Sequence, residues 1–205
     1  MSAFPVTLDG SSISALVIGG GSVALRKAQS LAEAGARVHV VAPSIDPRFE
    51  DLERANFDVR LTRTEYQSDQ LADVNFVVAA TNRPDVNATV AADARARGLP
   101  VNVADAPDLG TCMIPAVHRT GNGDLVIAIS AGGVPSAAMR IRDEVARIVD
   151  ERHGRAVAEL VELRRSLLDR GERGRWREAS EKLVGPDFFA DIGSGRFSER
   201  LGEWR

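Results

Sequence analysis

The spacing of apolar positions changes period several times along the chain. Ala15 to Ile18 is an unbroken apolar run that stops at Gly19-Gly20-Gly21 and resumes at Val23, Leu25, Ala28, Leu31 and Ala32, mostly three or four residues apart. The first pattern predicts a buried strand, the second an amphipathic helix that closes at Gly35. A β-rich run, Val38 to Val41, follows at once. The alternation continues with a helix near Asp46 to Ala55 and strands near Phe57 to Leu61 and Asn75 to Ala80. Pro84 then opens a helix that Gly98 stops, and Val101 to Val103 is a further strand. Alternation of this kind predicts an α/β domain, a parallel sheet with helices on both faces.

Beyond Val103 the periodic signal fades. The stretch 105–124 reads as a long loop, and Met113 to Ala116 within it is apolar enough that it is expected to pack at a site. Leu125 to Ile129 is strongly β-prone and leads through Ser130-Ala131-Gly132-Gly133 into a helix from about Ser136. On that helix Ala138, Ile141, Val145 and Ile148 form one apolar stripe, while Arg140 and Arg147 share another face. A sheet already covered leaves the stripe little core to meet, so a partner subunit is its expected receiver. From Gly154 the composition shifts to charged helices, Arg155 to Arg170 and Trp176 to Val184. The late aromatics Trp176, Phe188, Phe189, Phe197 and Trp204 are expected to build a small core there.

Bulk composition narrows the function. With 205 residues, 44% of them hydrophobic, the chain has room for one domain and a smaller appendage. A net charge of -3 argues against a nucleic-acid or anionic-membrane partner. The first ten residues show no secretory leader pattern and no apolar run is long enough to span a bilayer, so a cytoplasmic protein is expected. A single cysteine, Cys112, excludes an internal disulfide. His39, His118 and His153 are scattered, so no resident metal site is expected.

The candidate chemistry centres on the glycines. Gly19-Gly20-Gly21-Ser22-Val23-Ala24 is a G-x-G-x-x-A turn between a strand and a helix. Gly19 makes the tight turn, Gly21 lets backbone N–H groups approach a pyrophosphate, and Ala24 lets the helix pack closely on the strand. The anion sits at the positive end of that helix. A Rossmann-like dinucleotide site is therefore expected. After the next strand, Ala42-Pro43-Ser44 holds neither the acid nor the arginine that separates NAD from NADP in many such folds. Pro43 and Ser44 line the ribose pocket, or Ser44 is a simple cap; both readings stand. Ala79-Ala80-Thr81-Asn82 places small residues at a strand's carboxyl end, where open sheets bind ligands, and Asp105 and Asp108 lie just past another strand end. Other chemistries drop out. The only tyrosine, Tyr66, has Gln70 four residues on, which removes the Y-x-x-x-K dehydrogenases, and no G-x-S-x-G, Walker lysine or H-E-x-x-H occurs.

Taken together, Ile18 to Ala28, Val40-Val41-Ala42-Pro43, Ala79-Ala80-Thr81, Asn102-Val103-Ala104-Asp105, Ile114-Pro115-Ala116 and Ile129 to Gly133 occur in an order that resembles siroheme synthases of the precorrin-2 dehydrogenase type. The resemblance covers about residues 1–150, in a form without the methyltransferase module that some members carry. It implies a homodimer that oxidises precorrin-2 to sirohydrochlorin with NAD, some relatives also inserting ferrous iron. By the same likeness Ser22, Val23, Pro43 and Ser44 contact NAD and Asp105 is the catalytic aspartate; Gly19 and Gly21 of the turn and Thr81 at its strand end join the cofactor site from the motif and strand-end readings above. A carboxylate suits that reaction, because a proton must leave the tetrapyrrole as hydride goes to the nicotinamide, and metal insertion must likewise withdraw pyrrole protons. The competing reading makes Asp105 an Asx-turn residue before Pro107, and Asp108 is read as a turn residue.

His118, Arg119, Ser130 and Arg140 are the candidate substrate contacts: Arg119 and Arg140, with Arg147 beside them, for the cationic rim that a many-carboxylate substrate calls for, and His118 to assist proton transfer or bind a substrate carboxylate, unless it is an ordinary surface histidine. Against this, Arg140 and Arg147 are spaced for ordinary ion pairs with Asp143 or Glu144. Ala131 stands where several relatives have a second serine, and Val134-Pro135-Ser136 replaces their Ser-Pro pair, so the pattern behind the phosphorylation control suggested for some relatives is broken here, with Ser130 the remaining hydroxyl. The expected organisation is an NAD-binding Rossmann domain over 1–113, a dimerisation and substrate segment over 114–150 and a helical C-terminal module over 151–205. The competing function is a non-catalytic NAD-sensing or ligand-gating domain. Two features weigh against it: the missing ribose acid, and the lack of room before Ser12 for a DNA-binding element.

Overall fold

The computed structural model describes residues 4–120 and 125–205, so the leader reading at 1–3 and the last four positions of the 105–124 stretch lie outside the described residues. Contacts divide the chain into two compact units, Met1–Ile114 and Pro115–Arg205, each described by itself.

The first unit is a five-stranded parallel sheet built from β1 (Ser14–Ile18), β2 (Arg37–Val41), β3 (Val59–Thr62), β4 (Phe76–Ala79) and β5 (Val101–Val103), in the order β3-β2-β1-β4-β5. In the central strand Val17 pairs with Val40 on one side and Val78 on the other. Successive side chains leave a strand on opposite faces, so a strand covered on both sides must be apolar throughout. Val17 accordingly packs with α1 (Ser22–Glu33) and α2 (Phe49–Arg54), through Ala28 and Phe49. Its neighbours Leu16 and Ile18 pack on the other face with Val90, Ala91 and Ala94 of α3 (Pro84–Ala96). Helices thus cover both faces, as the alternation predicts.

α2 starts three residues later than its composition suggests. The Asp46 carboxylate accepts the Arg48 backbone N–H at 3.0 Å and its guanidinium at 2.7 and 3.0 Å, which fixes a turn ahead of the helix. Arg48 holds the Asp46 carboxyl down at about 2 through those same bonds.

In the second unit β6 (Ala116–Thr120) pairs antiparallel with β7 (Leu125–Ile129), Val117 opposite Ala128. β6 corrects the reading of 105–124 as a loop. It follows Pro115 directly and its Ala-Val-His-Arg-Thr has no strict two-residue alternation, so its strand character comes from pairing with β7 rather than from local pattern. Five helices follow: α4 (Pro135–Ile148), α5 (Glu151–Asp169), α6 (Arg173–Leu183), α7 (Phe188–Ser194) and α8 (Arg196–Gly202). α5 starts at Glu151 and not at Arg155, because Asp150 caps it by accepting the Arg152 N–H at 3.0 Å while His153 reaches back to the Asp150 N–H at 3.2 Å. Gly154, read as a boundary, is buried inside that helix.

Leu167, Leu183 and Leu201 are fully buried in the helical core, and Phe188 meets Phe197 edge-on at 5.5 Å. The buried Asp191 carboxylate takes Arg196 at 3.0 Å and Arg200, so its charge is not left unpaired. Phe189 departs from the expected core: it is 55% exposed and lies against His153 instead. On α4 the apolar stripe is only partly used. Ala138 is buried, whereas Ile141 and Ile148 are 47% and 67% exposed.

Burial pushes the Cys112 thiol up from 9.0 to about 11. The folded protein therefore favours the neutral thiol, and this stabilisation is lost as pH rises from about 9 through about 11. Native Cys112 should alkylate slowly at pH 8, its rate rising towards a midpoint near 11, while the urea-unfolded chain labels readily. Equal rates in both states at pH 8 would contradict this burial.

Candidate functional site

The site of the first unit forms where chain direction across the sheet reverses, between β1 and β4. Three loops meet there at backbone distance. Gly19 has φ +131°, and a Cβ on it would stand 2.3 Å from the Ala80 carbonyl oxygen. A Cβ on Gly20 would stand 2.0 Å from the Ser44 carbonyl oxygen, and the Gly20 carbonyl accepts the Asp46 N–H at 2.9 Å. The ends of β1, β2 and β4 are thereby locked together, and two glycines are explained by packing alone.

Gly21 is different. An added Cβ would meet nothing within 4 Å, and its φ of -91° suits any residue. It caps α1 without a side chain, so the N–H groups of the first turn have neither an intrahelical acceptor nor a cap. Ala24 behind them is fully buried, which seats the helix against the sheet. The protein's own packing does not require glycine at position 21, whereas a ligand lying against this backbone would. Open space over unpartnered N–H groups at a helix start fits a pyrophosphate.

These groups line a pocket of about 1050 Å³. That is at the upper end of the usual range for small-molecule sites, which reach about 1,000 Å³. Gly19, Gly21, Ser22, Val23, Pro43, Ser44 and Thr81 all line it, and so does Asp105. Ser44 does not cap α2; the turn there belongs to Asp46, which also lines the pocket with its oxygens engaged by Arg48. Asp46 thus puts an acid into the pocket lining two residues past Ser44, although Ala42 to Ser44 hold none. Glu65, Arg83 and Asp85 complete the charged lining; Arg83 pairs with Asp85 at 2.8 Å and lowers its carboxyl below the ordinary range.

Asp105 is exposed at the rim beyond β5. Its Oδ1 accepts a hydrogen bond from the Asn87 side-chain amide at 2.9 Å. No Asx-turn bond from its side chain is formed among the described residues. Asn87 was missed by the sequence reading, although a signal existed: it stands at i of the buried i, i+3, i+4, i+7 stripe completed by Val90, Ala91 and Ala94, where an apolar residue belongs. Met113 to Ala116, expected to pack at the site, do not line the pocket, and Ile114 packs instead on the α1 side of the sheet.

The four candidate substrate contacts all fall in the second unit. His118 Nε2 lies 2.6 Å from the Val149 carbonyl oxygen and is committed to that bond. Arg140 and Arg147 share Glu144, each at 2.8 Å. Arg119 and Ser130 are exposed, and Arg119 forms no ion pair among the described residues.

Residues 6–116 match a family model described as "Putative NAD(P)-binding". The chain is 45% identical to a siroheme synthase of Pseudomonas entomophila over 141 residues, 68% of this chain and 30% of that protein. It is 38% identical to the siroheme synthase of Pseudomonas putida strain W619 over 91% of this chain and 40% of that protein, and 33% identical to that of Saccharophagus degradans over 98% and 42%. The chain therefore spans less than half the length of these relatives. Among solved structures it resembles SirC, a precorrin-2 dehydrogenase, with a TM-score of 0.75 and 27% identity, covering 98% of this chain and 100% of that one.

The glycine geometry makes a graded prediction. Gly19→Ala and Gly20→Ala should each destabilise the fold by about 1–3 kcal/mol or more in urea denaturation, because backbone must move to admit a Cβ. Gly21→Ser keeps a good helix cap and should leave stability within about 0.5 kcal/mol, while weakening NAD binding by about tenfold or more in calorimetry. Unchanged NAD affinity in Gly21→Ser would refute the cradle.

Proposed function

Because the chain belongs to this NAD(P)-binding family, we propose that it is an NAD-dependent dehydrogenase that oxidises precorrin-2 to sirohydrochlorin, on the way to siroheme. One observation carries the reading: a glycine that the fold does not need, at an uncapped helix start, shares a pocket with an exposed carboxylate. The likeness to siroheme synthases and to SirC supplies the substrate class.

The bound dinucleotide would supply a hydride acceptor at its nicotinamide. The first-turn N–H groups at Ser22 and Val23 would hold the pyrophosphate, Pro43 and Ser44 would flank the adenosine ribose, and Thr81 would border the nicotinamide half. Loss of hydride from precorrin-2 must be matched by loss of a proton, and Asp105 is the group at the rim that takes it. Its Oδ2, not occupied by any hydrogen bond among the described residues, is the accepting atom. Asp46, Glu65, Asp85 and Asp105 outnumber Arg83 in the lining, so the pocket itself does not neutralise a many-carboxylate tetrapyrrole. That task falls to cations outside it; of the candidate arginines, Arg140 and Arg147 are paired with Glu144, whereas the exposed Arg119 forms no ion pair among the described residues.

Among the described residues no three His, Cys, Asp or Glu side chains gather as a metal site, and none of the described helices is long and apolar enough to cross a membrane. Ferrous iron enters this reading as a substrate, not as a resident ion. The reading also makes the enzyme a cytoplasmic homodimer, with the half-used stripe of α4 as the surface that a second copy covers. A buried interface of that kind is where exposed aliphatic residues on one helix face find their partners.

Two measurements test the proposal. Anaerobic incubation with precorrin-2 and NAD should produce NADH and sirohydrochlorin, and Asp105→Asn should lower kcat by about 10²- to 10⁴-fold while NAD affinity stays within about threefold. Ferrous iron added afterwards reads metal insertion as a separate spectral change. NAD binding without NADH formation in the wild type would favour the cofactor-sensing alternative. For the assembly, light scattering should find a dimer that Ile148→Asp converts to monomer; a monomeric wild type would overturn that assignment.

A further inference from the structure

Asn87 is 1% exposed on the core side of α3, and it uses its amide completely. Its Oδ1 accepts the Thr81 backbone N–H at 3.1 Å and the Thr81 hydroxyl at 2.8 Å. Its Nδ2 donates to the Thr81 carbonyl at 3.1 Å and to Asp105 Oδ1 at 2.9 Å. The amide orientation is fixed by these partners. A backbone N–H can only donate, whereas a carbonyl and a carboxylate oxygen can only accept, so a flipped amide would set donor against donor and oxygen against oxygen. A polar side chain buried this deeply on an apolar stripe costs stability unless it is fully bonded. Three of its four bonds fasten the turn after β4. The fourth leaves that turn and reaches across to the carboxylate beyond β5.

We propose that Asn87 is a positioning residue for the dehydrogenation: by holding Oδ1 of Asp105 it fixes the carboxylate against the pocket wall and turns Oδ2 to the substrate as the proton acceptor. The inference rests on the reading of Asp105 as the base. The Thr81 clamp gives the amide a rigid anchor, so the donor it offers to Asp105 does not wander with the surface. An exposed aspartate with free rotation about its side-chain bonds would spend much of its time outside reacting geometry, and misplacement by about 1 Å can cost about 10²-fold in rate. The same amide touches Thr81, which the sequence reading placed at the cofactor, so one buried side chain registers the loops that carry cofactor and base.

Asn87→Asp is nearly isosteric; it can keep both acceptor bonds to Thr81 but sets an oxygen against Asp105 and against the Thr81 carbonyl. We expect kcat with precorrin-2 to fall about 10- to 100-fold while the KM for precorrin-2 and the dissociation constant for NAD change less than about threefold. A merely structural role would lower the melting temperature without this split. If Asn87→Asp does not fold, Asn87→Ser removes the link without adding charge and is held to the same expectation. A folded variant with kcat within about twofold of wild type, measured alongside an Asp105→Asn protein that has lost activity, overturns the inference and leaves the base assignment intact. A wild type that makes no NADH overturns the dehydrogenase reading instead, and a substrate-free measurement then decides the link. In ¹⁵N-labelled protein, the side-chain NH₂ pair that disappears in the Asn87 variant should have both protons protected from exchange, and Asp105→Ala should remove the protection of one of them. An NH₂ pair indifferent to Asp105→Ala overturns the proposal.

Discussion

The first unit depends on one constraint, the collision of three backbones at the carboxyl edge of the sheet. Where Gly20 faces the Ser44 carbonyl and Gly19 faces that of Ala80, no side chain larger than hydrogen fits without moving main chain. The contact is made by atoms that cannot rotate out of the way. The spacing of β2 and β4 from β1, set by ordinary parallel pairing, is therefore carried past the strand ends into the loops. A cleft bounded by such loops keeps its shape without ligand, and preorganisation of this kind lowers the ordering cost of binding. Gly21, one residue further on, escapes the crowding, and that contrast within a single Gly-Gly-Gly run separates what glycine does for the fold from what it does for a ligand.

The same edge shows how a polar group is made tolerable inside an apolar layer. Asn87 interrupts the stripe of α3, and its burial would be costly if any of its four partners were missing. Asn102 offers the opposite case. Its Nδ2 reaches the Cys112 carbonyl at 3.2 Å, but its Oδ1 is buried without a hydrogen bond among the described residues. The difference follows from position. Asn87 sits where two loops converge and supply donors and acceptors, whereas Asn102 lies mid-strand in β5, where neighbouring main-chain groups are already paired.

Much of this architecture is legible in the residues, and the reason is that its signals are local. The strand before the glycines is buried on both faces and so reads as a plain apolar run; β1, β2 and β5 fall within a residue of expectation. The Gly19, Gly21 and Ala24 spacing marks the pocket because tight turns and close packing demand small residues at fixed intervals. What escaped was decided by polar and pairing partners that an apolar pattern does not register. β6 is a strand because β7 lies beside it, and Arg-rich α5 starts early because Asp150 and His153 cap it reciprocally. The link from Asn87 to Asp105 spans eighteen residues, and periodicity can flag the misplaced asparagine but cannot name its partner.

Charge sets the final distinction between the units. The pocket lining carries four carboxylates against one guanidinium, and that guanidinium is already paired with Asp85. In such surroundings a pyrophosphate would have to be held by neutral backbone donors, because the described lining holds no unpaired cation, and the uncapped start of α1 is the part of it that offers them. The second unit has the reverse bias on α4, where Arg140 and Arg147 share the single carboxylate of Glu144. Exposed ion pairs of this kind are worth only about 0–1 kcal/mol, so exchanging Glu144 for a substrate carboxylate costs little. A surface arginine in a weak pair is thus not disqualified as a ligand contact. What separates it from His118 is that the imidazole has already given its Nε2 to a backbone carbonyl that would be left unpaired by the exchange.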